Sequence, residues 1–381
     1  MTYYILALVN DLRNKVSIML DMIDKHQIHK DLLVDDYAPW IRGKLVNISD
    51  TLSNMLEDKD LMNPDLIVNY LETYKGLSEE VQLIESFPLP VILKYSPSEH
   101  YFHKLIALLV EQIEYPLLSP VVSTISTDYY WTHISYRLIA VPLCEEHLLL
   151  NIPDLFHEIG HLLKDAYSSA MEGNFKKYLT DYISNEKKRI IDENRSDQYL
   201  GILDEIKRKW DEDWTNEFIG DMIATYLVGP AYAWTNLRLC TNSLSSDNVF
   251  WPSIEKFRET MHPSDEARMR GIYQMLRQFD FGSQIEEIDN KWQQYIQISG
   301  YDKPIDYNYF YPNDLLDNLA KNVFTGCQNV GLVSYAEQIE GNEINIVRLL
   351  NDAWNEFNNA PLNYPSWERK QIRKLRELLL E

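Results

Sequence analysis

The chain is poor in cysteine and in positive charge, and no part of it stays apolar for long. Its three cysteines, Cys144, Cys240 and Cys327, are odd in number, far apart and form no CxxC pair. That argues against a disulfide framework and against a thiolate zinc knuckle, and leaves buried or half-buried thiols in a reducing compartment. Lysine and arginine number 36 against 58 acids, a formal charge of −22. A phosphate backbone or an anionic membrane surface is therefore repelled on average, and no nucleic-acid partner is expected. No stretch reaches the roughly 18 apolar residues of a membrane span. The amino terminus, MTYYILALVNDLRNK, has no basic residues ahead of its apolar run and no small-residue cleavage site. The expectation is a cytoplasmic protein without membrane insertion.

What is present is ordinary globular material. The 381 residues are 45% hydrophobic, enough for a large core and, by size, for two or three domains. Helical periodicity with charged faces runs through residues 1–115, as in LALVNDLRNKVSIMLDMI and YFHKLIALLVEQIEY. From Pro116 to Glu146 the chain turns β-branched and aromatic, which predicts a short sheet. Pro142 in YRLIAVPL lacks an N–H, so this strand reads either as an edge that could take up an extended peptide or as a plain core strand. Residues 172–213 are charged and helical in pattern, SSDNVFWPS (245–253) is a loop, and 298–314 is a linker or long loop. The predicted class is mainly α with a small β-sheet (α+β): an amino-terminal helical region at 1–115, a core at 116–297 and a carboxy-terminal helical cap at 298–381.

The stretch LLNIPDLFHEIGHLLKDAY, residues 149–167, carries the chemistry. Asn151 is placed to cap a helix, Pro153 suits its first turn and Asp154 its positive end. Leu155, Phe156, Ile159, Leu162 and Leu163 form its apolar stripe. His157 and His161, four residues apart, project from one face, where two imidazoles can converge on one tetrahedral cation. Glu158 is set to reach a water on that cation as general base, the HExxH arrangement. The plain alternative is a pair of core histidines satisfied by hydrogen bonds. His26 with His29, and His100 with His103, have no acidic partner motif and are not expected to bind metal.

A catalytic zinc needs a third protein ligand. In NEFIGDMIATYLV, Glu217, Asp221 and Ala224 lie on a stripe separate from Phe218, Ile219, Met222, Ile223, Tyr226 and Leu227, and Gly220 with Ala224 permits close approach of the first helix. Glu217 is the candidate ligand. Asp221, one turn on, is placed to accept the outer ring N–H of a ligating histidine. The alternative is a solvated helix edge.

HEIGH followed by NEFIGD resembles the gluzincin metallopeptidases, in which HExxH supplies two zinc ligands and a glutamate in an NExxxD pattern supplies the third. The resemblance spans His157 to Arg268 and is specific only at the two motifs. It implies a zincin-like core binding Zn²⁺ through His157, His161 and Glu217, with Glu158 as catalytic base and Asp221 orienting a histidine. Residues 162–216 form a longer gap than in thermolysin-like members, closer to the integral-membrane heat-shock peptidases, whose membrane spans this chain does not show. HPSDEAR resembles the His-Pro segment with a following Arg that comes after the third ligand in some members, so His262 or Arg268 could face the reaction intermediate. It also reads as a plain helix start, with Pro263 in the first turn and Arg268 paired to an acid. Tyr232 is a further candidate.

The resulting expectation is a zinc-dependent metallopeptidase acting on a peptide or protein, with Glu158 activating a zinc-bound water. Two alternatives stand beside it: a binding or regulatory protein that keeps a zinc-peptidase core and meets a protein partner through its helical flanks, and a hydrolase of non-peptide amides.

Overall fold

The computed structural model describes residues 2–25, 36–58, 60, 66–94, 96–127, 129–194, 197–242, 249–250, 260–300, 302–304, 307–338 and 345–380. His26, His29 and the loop 245–253, apart from Val249 and Phe250, lie outside the described residues. The chain forms two compact units, Met1–Lys104 with Val121–Thr124, and Leu105–Pro120 with Ile125–Glu381. Its class is mainly α with a small β-sheet, and no helix among the described residues is long and apolar enough to cross a membrane.

The first unit holds α1 (Thr2–Lys25), α2 (Ala38–Glu57), α3 (Ile67–Ser86), α4 (Pro88–Leu93), the start of α5 (Pro97–Gln112) and β1 (Val121–Ser123). Buried Ile5, Val9, Leu12, Val16, Met19 and Ile23 alternate by four and three along α1, and Ile41, Leu45, Ile48, Leu52 and Met55 do so along α2. Such stripes let two helices interlock. Each buried side chain contributes about 1.5–3 kcal/mol before the cost of ordering it. The buried carboxylate of Glu99 is satisfied by the Ser96 N–H at 2.8 Å and the Ser123 hydroxyl at 2.5 Å.

In the second unit β2 (Trp131–His133) and β3 (Leu138–Ala140) pair antiparallel, Thr132 opposite Ile139. β3 is buried throughout, whereas β2 is half-buried and stands at the edge of the small sheet. YRLIAVPL is thus a plain core strand, the second of its two readings, and the edge is β2; Pro142 falls two residues past the end of β3, where no ladder N–H is needed. There follow α6 (Pro153–Ala166), α7 (Ser168–Glu172), α8 (Phe175–Asp192), α9 (Asp197–Lys209), a π turn (Trp210–Trp214), α10 (Thr215–Val228), α11 (Pro230–Asn242), α12 (Asp265–Arg277), α13 (Gly282–Ser299), α14 (Tyr307–Phe310), α15 (Asn313–Asn329), α16 (Tyr335–Gln338), α17 (Ile346–Asn359) and α18 (Tyr364–Leu380). The tract 298–314 thus contains a short helix, α14, and the helices after it belong to the second unit.

Three local expectations are corrected. Asn151 does not cap α6: a 3-10 turn at Leu149–Asn151 delivers the chain already helical at Ile152, and the Asn151 amide bonds Arg238 and Glu145 instead. Cys144 is exposed, on a left-handed turn, while Cys240 and Cys327 are buried as expected. Pro263 stands outside α12, which begins at Asp265 behind Ser264; that hydroxyl accepts the Ala267 N–H.

α6 and α10 meet glycine to glycine. A Cβ on Gly160 would stand 2.9 Å from the Gly220 Cα, and one on Gly220 would stand 2.9 Å from the His157 ring. The π turn ahead of α10 sets the rotation of that helix. Trp210 in it donates to the Phe310 carbonyl at 2.9 Å, stacks on Phe218 with centroids 4.9 Å apart, and gives its own carbonyl to the Thr215 hydroxyl at 2.5 Å. Such turns re-aim the face a helix presents. At the other end Gly229 takes φ +62°, and any Cβ there would strike the Tyr335 ring. The corner into α11 is clamped by Asn351 of α17, which donates to the Val228 carbonyl at 3.0 Å and accepts the Ala231 N–H at 3.1 Å.

Gly160→Ala is expected to destabilise the chain by about 1–3 kcal/mol, because the new methyl meets backbone that cannot move aside. Gly76→Ala, in the interior of α3 with open space around the new Cβ, is expected to stabilise by about 0.5–1 kcal/mol. Denaturant unfolding of both variants checks the contrast.

Candidate metal centre

α6 is buried on nearly all sides, so its polar residues must be satisfied within the protein. His157 and His161 turn their Nε2 atoms toward each other, 3.0 Å apart, with ring planes at 87°. From α10 the Glu217 carboxylate closes the set, Oε2 at 3.6 Å from His157 Nε2 and Oε1 at 3.7 Å from His161 Nε2. Among the described residues this is the group of metal-ligating side chains that could hold an ion, its ligand atoms all within 4.8 Å of one another. A tetrahedral zinc with bonds of about 2.1 Å separates its ligand atoms by about 3.4 Å. The spacing and the nitrogen, nitrogen, oxygen set fit that ion.

Behind the rings the outer nitrogens are held as well. His157 Nδ1 lies 2.9 Å from Asp221 Oδ1 and 3.1 Å from the Tyr232 hydroxyl. His161 Nδ1 lies 3.1 Å from the Asn216 side-chain amide, and a half-turn of that amide presents its oxygen to a ring whose Nε2 binds a cation. Asp221 has no exposed surface. It accepts Arg268 Nε at 2.8 Å, Arg268 Nη2 at 2.6 Å and the Tyr232 hydroxyl at 2.5 Å. His262 Nδ1 lies 2.9 Å from Glu217 Oε2, its ring largely exposed.

The electrostatics follow from these contacts. Burial drives the Asp221 carboxyl up, but Arg268 and His157 outweigh it and hold the group well below the ordinary range. Glu217, half-buried, is held well below against its own desolvation by His157 and His262. Burial works against charge on His157, yet Asp221 and Glu217 raise it to about 10; burial and the charge on His157 push His161 down to about 4. The positive charge thus sits on His157 and leaves His161 neutral; a divalent cation bound by both Nε2 atoms would take the place of that proton.

The Glu158 carboxylate is held by Thr132 of β2, which donates to Oε2 at 2.7 Å. Burial raises its pKa against the opposing pull of His157 and Thr132. Glu158, His157, Glu217, His262, Tyr232 and Arg268 all line one cavity of about 600 Å³. Asp154 lines it too, raised to about 7 by burial and hydrogen-bonded by the Tyr129 hydroxyl.

The structure brings His157, His161 and Glu217 together and sets Asp221 against His157, as the motif spacing implied. Arg268 is paired to an acid, Asp221, the plainer of its two readings. Tyr232 also spends its proton on Asp221, and His262 rests on Glu217. Thr132 was not anticipated: it precedes Glu158 by 26 residues on a strand with no motif. Asn216 had a signal, as the first residue of the NExxxD pattern. Compared with known proteins, the chain matches no family, no curated protein and no solved structure.

The purified chain is expected to carry one zinc ion, measured by elemental analysis. His157→Ala combined with His161→Ala should abolish it; a full complement in that variant would move the site elsewhere. Asp221→Asn should weaken zinc retention by roughly 10- to 100-fold in a chelator competition.

Proposed function

We propose that the protein is a zinc-dependent metallopeptidase that hydrolyses peptide bonds with Glu158 as general base. The observation that supports this most is the placement of Glu158: a buried carboxylate with one oxygen fixed by Thr132, opening into the same cavity as the converging His157, His161 and Glu217. Zinc held by those three residues would supply Lewis acidity, lowering the pKa of water to about 7 and polarising a carbonyl. Glu158 takes the proton of the attacking water and returns it to the departing amine nitrogen. Its raised pKa makes it the stronger base for the first step, and Thr132 keeps it aimed. Asp221, anchored by Arg268, holds the tautomer of His157. Arg268 Nη1, which has no acceptor among the described residues, lines the same cavity and is the donor offered to the oxygen on which charge develops. His262 orients Glu217.

The test is a comparison of newly formed peptide termini in cells expressing the protein or its Glu158→Gln variant. Glu158→Gln should retain zinc and fold while losing turnover by several orders of magnitude. If the variant performs the cellular role as well as the parent, the protein acts as a binding module on a zinc-peptidase core. Thr132→Val removes a hydrogen bond that favours ionised Glu158, so the pKa of that carboxyl rises further. Activity depending on the ionised form is then lost at higher pH on acidification, and the acidic limb of kcat/KM should move upward.

A further inference from the structure

The cavity contains a cation that the hydrolytic reading does not use. Arg238, half-buried on α11, lines it together with Glu158 and His157. Among the described residues its guanidinium meets no carboxylate at ion-pair distance; its one side-chain partner is the amide oxygen of Asn151. In a chain with 58 acids and 36 bases that is unusual, and the local wiring shows how it arises. The nearest acid in the network, Glu145, takes the Asn151 Nδ2 at 2.8 Å and the Tyr130 hydroxyl at 2.7 Å. An amide therefore stands between the guanidinium and the carboxylate. Asn151 orients Arg238 without neutralising it, and most of the fork of five donors is left for something else.

A second observation lies beside it. Asn236, on the same helix and in the same cavity, is 1% exposed, and its Oδ1 has no hydrogen-bond partner among the described residues. Buried acceptors are rarely left unbonded. A donor fork and a spare acceptor together match the carboxylate and the amide N–H of a peptide.

We propose that Arg238 is a carboxylate-binding subsite, taking a carboxylate of a short peptide substrate whose reacting carbonyl lies at His157, His161 and Glu217. This rests on the peptidase reading. Six residues of helix separate Arg238 from Tyr232, which touches His157, an axial distance of about 9 Å. An extended peptide covers that in about two to three residues. The carboxylate is thus a chain terminus or an acidic side chain two to three residues from the bond that breaks, and a cavity of about 600 Å³ suits a short peptide.

The experiment measures binding without turnover, using zinc-loaded Glu158→Gln protein. Tetrapeptides randomised at the first three positions are offered in three forms: a free carboxy-terminal acid, its amide, and an amide ending in glutamate. Retained peptide is quantified by mass spectrometry after ultrafiltration. The acid or the glutamate form should be retained about 10- to 100-fold better than the plain amide, and which of the two wins identifies the source of the carboxylate. Adding Arg238→Ala should bring the ratio close to one, and adding Arg238→Lys, which keeps charge and loses the fork, should leave an intermediate ratio. Equal retention of all three forms by the parent, a preference surviving Arg238→Ala, or no retention at all overturns the subsite. The acid-to-amide ratio of the parent decides the matter even if a variant fails to fold. Cleavage without a carboxylate preference would remove the subsite and leave the peptidase, whereas carboxylate binding through Arg238 without cleavage would do the reverse.

Discussion

A carboxylate with no exposed surface must be fully paired or it unfolds what surrounds it, and Asp221 is such a group. Arg268 reaches it from α12 with two hydrogen bonds, Tyr232 from α11 with one, and His157 from α6 with one. Three helices are therefore registered on one side chain of α10. The pairing does more than stabilise. Arg268 offsets the cost of burying the anion, which leaves the remaining capacity of Asp221 for His157, and that contact orients the ring whose opposite nitrogen faces His161 and Glu217. Loss of Arg268 would act on the candidate metal site without touching it, by leaving Asp221 to His157 and Tyr232.

Close approach of two helices is the second constraint. A convergent ligand set drawn from separate helices needs their axes near enough for short side chains to meet, and Gly160 against Gly220 provides it. The space above Gly220 is filled by the ring of His157 itself. The residue that permits the helix contact is thus also the floor on which a ligand lies, so a methyl group there acts on packing and on coordination together.

Much of the centre was legible in the sequence, because its parts are local. HEIGH places two imidazoles on one helical face, and NEFIGD places Glu217 and Asp221 one turn apart; helical spacing alone carries both. What escaped is non-local. Thr132 reaches Glu158 only because β2 lies beside α6, and Arg268 finds Asp221 only because α12 crosses α10. The capping expectation for Asn151 failed for a related reason: the local signal was sound, but a tertiary partner, Arg238, competed for the same amide. The helical class and the short sheet were readable from periodicity and β-branched content, while the edge of that sheet was not, since Pro142 marks the end of a strand as readily as a free side.

The clamp at the α10–α11 corner bears on when the centre can form. Both hydrogen bonds that close the corner involve Asn351, which the ribosome adds 123 residues after Val228. Until then the carbonyl of Val228 and the N–H of Ala231 lack their partner, and the turn that carries Tyr232 toward Asp221 is open on one side. Contacts of such sequence separation form late. The nascent chain thus carries both helices of the candidate site before their support is complete, and the corner closes only once Asn351 has been made.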